Sequence, residues 1–121
     1  MNLEPLSFIV GKALDGLFVR QSATANNIAN ASSGGFVPSR VSFEDALREA
    51  AGVRPGDNIE RMMTRVANVT PAILPGQSGE LTGVKLDQEI ATANETSVRY
   101  ALLTGMLDRT LQMQSLAIKG A

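Results

Sequence analysis

The sequence predicts an all-α fold: long N- and C-terminal helices packed antiparallel as a coiled-coil-like hairpin, with a short helix and an irregular middle segment between them. Three observations predict it. Leu3, Val10, Leu17, Thr24 and Ala31 recur every seven residues, the column of a helix that packs lengthwise on another. Residues 84–118 read as the longest element, with no proline and with apolar side chains at helical spacing. The strongest breakers, Arg54-Pro55-Gly56-Asp57, Thr70-Pro71 and Leu74-Pro75-Gly76, crowd the middle.

The chain of 121 residues is read as one domain in three stretches: 1–35, 36–83 and 84–121. In the first, residues 5–31 are expected to be helical. Leu6 and Ala13 form a second column, flanked by Leu14 and Ile28; Pro5 suits a first helical turn, and Gly34 and Gly35 are natural stops. Gly11 and Gly16 each lower helicity by about 1 kcal/mol relative to Ala. In the second, Pro38 pushes Val37 into extended backbone. Ser42 is then expected to cap a short helix whose apolar face is Phe43, Ala46, Leu47 and Ala50. Ile59, Met62, Met63, Val66 and Val69 fit a short helix about as well as a strand, and 70–83 reads as a linker, extended or disordered until bound.

The third stretch carries two apolar stripes. One comprises Ile90, Ser97, Tyr100, Thr104, Leu107, Leu111 and Ile118; the other comprises Leu102, Met106, Met113 and Leu116. A helix of that length spans roughly 50 Å. The N-terminal helix can cover only one stripe, so the other must meet another molecule, a lipid or nothing, and an uncovered stripe is an association site.

Function classes narrow quickly. Histidine and cysteine are both absent, which removes the commonest general base, nucleophile and zinc ligands. Asp87 and Glu89, two apart, fall on different helix faces, and Asp57 and Glu60 read as solvated turn residues; neither pair suggests catalysis. No catalytic, metal or cofactor-binding residue is assigned, and enzyme activity is not expected. The 11 basic and 12 acidic residues are evenly spread, without the basic stripe that nucleic acid requires or the basic helix face that lipid binding favours. No run approaches the ~20 apolar residues of a membrane span. Glu4, Pro5, Gly11, Lys12 and Asp15 break up any cleavable leader, so export would take another route.

Residues 23–36 are the most distinctive. Asn26, Asn27 and Asn30 stand among alanines at the end of the apolar-periodic helix, where asparagine is only a middling helix former. Asn26 and Asn30, one turn apart, would make either a polar seam for another backbone or a solvated helix end. The order Ala-Asn-Asn-Ile-Ala-Asn-Ala over 25–31 resembles the N-terminal signature of the axial proteins of the bacterial flagellum. That signature usually continues Asn/Ser-Thr-Pro-Gly-Tyr, where this chain has Ser32-Ser33-Gly34-Gly35-Phe36. Leu86-Asp87-Gln88-Glu89, continuing through Asn94-Glu95 to Tyr100-Ala101-Leu102-Leu103, is similar to the C-terminal signature of the proximal rod proteins. The two matches stand at opposite ends of the chain in the family's order, and the short middle has no room for the extra domains of the hook or distal rod.

The resemblance implies a structural subunit of the basal-body rod in the periplasm. Such a subunit packs helically against itself and other rod proteins, and is exported through the flagellar type III gate without a cleaved signal. It also implies contacts with the export gate and its adaptor subunit. Residues expected in subunit packing are Leu3, Val10, Leu17, Asn26, Asn27, Ile28, Asn30, Ile90, Tyr100, Leu102, Met106, Leu107, Leu111, Met113 and Ile118. Phe43 and Leu47 fit the Phe-x-x-x-apolar element read by the export gate, and equally fit the buried face of the short helix. A small secretion adaptor or chaperone with coiled-coil helices is the competing class.

Overall fold

The computed structural model describes residues 3–76 and 84–120. Its elements run α1 (Glu4–Ala29), β1 (Ser39–Ser42), α2 (Glu44–Ala50), α3 (Ile59–Ala67), β2 (Ala72–Pro75) and α4 (Leu86–Lys119). The fold is mostly helical, and the long helices α1 and α4 pack together. It is not strictly all-α. The segment after Pro38 and the one after Pro71 pair as a two-stranded antiparallel sheet, Val41 opposite Ile73 and Ser39 opposite Pro75. Part of the expected linker is therefore β2; residues 77–83 lie outside the described residues.

Why these stretches take these forms follows from local chemistry. Pro5 sits in the first turn of α1, where a missing N–H costs nothing. The helix ends at Ala29, short of the glycines, with Asn30 closing the last turn onto the Asn26 carbonyl. Gly35 takes up the reversal at φ +75°. Ser42 does not cap α2: it is the last residue of β1, and Phe43 holds the N-cap position without a side-chain bond. Pairing with β2 takes Ser42 before it can turn. The helix–strand ambiguity of residues 59–69 resolves as α3, capped by Asn58, whose Oδ1 accepts the Arg61 N–H at 2.8 Å.

The core lies where α1 crosses α2, α3 and β1. Leu17, Val41, Phe43, Leu47, Ala50 and Val66 are buried together, with Phe8, Ile9, Ala13, Met62 and Leu103 packed around them. Two cations tie this half down. Arg65 donates to the carbonyls of Ala50 and Gly52 and pairs with Asp57 at 2.7 Å, lashing α3 to the end of α2. Asp57 is thus a paired turn residue, not a solvated one. Lys12 reaches from α1 to the Ala67 carbonyl at the end of α3, at 3.2 Å.

Candidate association surface

Along α1 the heptad column does what its spacing predicts: Val10, Leu17 and Thr24 are buried, and Leu3 is half-buried. Along α4 the inward face is a different set from the two stripes. Glu89, Thr96 and Thr110 are buried, with Leu103 half-buried between them, a column seven residues apart and mostly polar. Contacts between the two helices run in opposite order: Asn27 meets Glu89, and Gln21 meets Ser97 at 3.1 Å. The stripes themselves face outward. Ile90, Tyr100, Leu111, Met113 and Ile118 are exposed, Leu107 is half-buried, and Leu102 and Met106 are 65% and 51% exposed.

Two grooves border this outer face. One, of about 490 Å³, lies between α1, α2 and α4 and includes Ile9, Ala13, Phe43, Leu47, Leu102 and Met106, with Arg48 and Arg99 at its edge. The other, about 420 Å³, lies between Phe18 on α1 and Tyr100 on α4.

Of the three asparagines, Asn27 is the buried one. Its amide pairs with the Ser39 backbone in both directions: Oδ1 accepts the Ser39 N–H and Nδ2 donates to the Ser39 carbonyl, each at 2.9 Å. Nδ2 also donates to Glu89 Oε2 at 3.0 Å, and Arg40 reaches Glu89 Oε1 at 2.6 Å. The end of α1, the start of β1 and the first turn of α4 are thereby fastened at one point. Asn26 is exposed and Asn30 half-buried; the Asn30 amide donates to the Asn26 carbonyl and side chain, a bond within the helix end. Ile28 beside them is half-buried. Glu89, Arg40 and Ser39 escape a periodicity reading, because a polar residue at seam spacing looks like a solvated one until its partners are known.

Phe43 and Leu47 are core residues in the folded chain. The Phe43 ring lies against Gly16, where a Cβ would come within 2.6 Å of the ring atoms. The Arg20 guanidinium, one turn along α1 from Gly16, stands over the ring, 5.0 Å from its centroid. Arg20 grips both Glu44 oxygens, at 2.5 and 2.6 Å, and donates to the Val41 carbonyl at 2.7 Å. That hydrogen bonding holds the Glu44 carboxyl below the usual carboxylate range and raises the Arg20 guanidinium. Arg99 adds a weaker contact to Glu44 at 3.5 Å, and Glu95 pairs with Arg99 one turn away on α4.

Among the described residues no three carboxylates gather as a metal site, and no helix is long and apolar enough to cross a membrane. No family model, curated protein or solved structure matches the chain.

Proposed function

We propose that this chain is a structural subunit of the proximal rod of the bacterial flagellar basal body, most like the rod protein FlgB. On this reading α1 and α4 form an antiparallel, coiled-coil-like hairpin that stacks against copies of itself and of other rod proteins. It links the export gate and its adaptor subunit to the more distal rod. The observation that carries the reading is the outer face of α4. A helix of 34 residues, roughly 50 Å long, turns most of its large apolar side chains to water, although α1 lies along it. Contiguous exposed apolar surface of that kind marks association. The Asn/Ala signature at 25–31 and the Leu86–Leu103 signature supply the family.

Phe43 and Leu47 are enclosed once the chain is folded, so a role in export belongs to the chain before it folds. Asn26, exposed at the end of α1, and Asn30, half-buried and bonded to it, are the amides that would set register with a neighbouring subunit. Replacing both with leucine should raise helicity and impair assembly.

The test is Leu102→Glu with Met106→Glu, two exposed positions outside the buried core cluster. In the bacterium that encodes the chain, the double variant should keep its helical circular dichroism when purified yet fail to restore motility and rod assembly to a deletion strain. Full motility with this variant as the only copy would refute the proposal.

A further inference from the structure

We infer that the clasp of Asn27, Glu89 and Arg40 sets the rotation of α4 about its own axis, holding the polar column of Glu89, Thr96 and Thr110 against α1 in place of the more apolar one that begins at Ile90. The inference stands independently of whether the chain is a rod subunit.

The argument starts from a mismatch. The α4 column facing α1 is Glu89, Thr96, Leu103 and Thr110. One residue on, about 100° round the helix, lies Ile90, Ser97, Thr104 and Leu111, with Tyr100, Leu107 and Ile118 beside them. That second set has the heptad spacing of a helix seam and far more apolar surface. By the Asn27–Glu89 and Gln21–Ser97 contacts, Leu17 and Val10 of α1 stand level with Tyr100 and Leu107, which they would bury to advantage over the threonines of the observed column. Burial alone therefore favours a rolled α4.

Directional bonds favour the rotation observed. Glu89 is 1% exposed and its carboxylate is met from two elements, by Asn27 Nδ2 at 3.0 Å and by Arg40 Nη1 at 2.6 Å. Asn27 cannot follow a rolling helix, because both ends of its amide are already fixed to the Ser39 backbone. The other polar contact across the seam, Gln21 to Ser97, is exposed and correspondingly weak. Leu103 is the one large apolar side chain of the inward column, and it packs at the core's edge. A buried polar pair that fixes register at a cost in stability is the best-attested use of such groups.

Because the chain has no cysteine, single cysteines report exposure cleanly. Thr110 and Leu111 are adjacent, far along the helix from the clasp, and are 7% and 49% exposed. In the full chain, Thr110→Cys should react with a maleimide at least about 10-fold more slowly than Leu111→Cys, since modification of a covered site needs an opening of the fold. Adding Glu89→Ala removes both bonds without supplying apolar surface, and should invert that order while the helical signal is kept. Adding Glu89→Gln, which still offers Asn27 an acceptor, should retain the original order. Four results would overturn the inference: equal reactivity at the two sites of the parent chain, an unchanged order with Glu89→Ala, a uniform rise at both sites, or loss of the helical signal in that variant.

Discussion

At the scale of single residues, the half of the chain around α2 hangs on how Phe43 is seated. Gly16 puts no side chain against the ring, and the ring is itself buried with the Arg20 guanidinium over it. Gly16→Ala should therefore destabilise by about 1–3 kcal/mol despite its better helix propensity, since an added methyl in a filled site forces strain. A thermal melt of the variant checks this; a raised melting temperature would mean the ring can move aside. The Arg20–Glu44 pair makes a pH prediction of definite sign. The Glu44 carboxyl is lowered in the folded chain from its ordinary value of 4.5. Its contribution is thus present above that value and is lost as pH falls through the lowered one. With the Glu44 side chain over one-third exposed, the effect is modest. Glu44→Gln should melt below the parent chain at about pH 7, and the gap should close as the solution is acidified below the carboxylate range.

At the scale of elements, the end of α1, β1 and the start of α4 depend on one side chain. Asn27→Ala would strand the Ser39 N–H, leave the Ser39 carbonyl to Arg40 Nη1, and remove one of the two partners of buried Glu89. An orphaned group costs about 1–3 kcal/mol and the lost bond to Glu89 adds to it, so a loss of about 2 kcal/mol or more in a urea titration is expected. A loss below about 1 kcal/mol would show that water replaces the amide without penalty. Here tertiary contacts, not local sequence, decide the structure. The α1 column, the extent of α4 and the Glu95–Arg99 pair follow from spacing alone. The asparagine motif was visible too, but which amide turns inward is decided by where β1 passes. The sheet could not be read because β2 has four exposed residues, two of them alanine and proline, and no alternation to betray it. The α4 seam was missed for the opposite reason: its apolar stripes are genuine, and they face out.

At the scale of the whole molecule, the described residues leave one apolar side uncovered, the side that the proposed rod assembly would use. The core is confined to the end where α1 meets α2, α3 and β1, while α4 is held by a narrow polar seam and presents Leu102, Met106, Leu111, Met113 and Leu116 to water. Rod assembly would cover that face with equivalent faces of neighbouring subunits. A cryo-electron microscopy map of basal bodies isolated from the bacterium encoding this chain tests that most directly. The account predicts this chain in the proximal rod wall, with Leu102 and Met106 enclosed by adjacent subunits. A rod complete without it, or a copy in place with that stripe facing open channel or solvent, would contradict it.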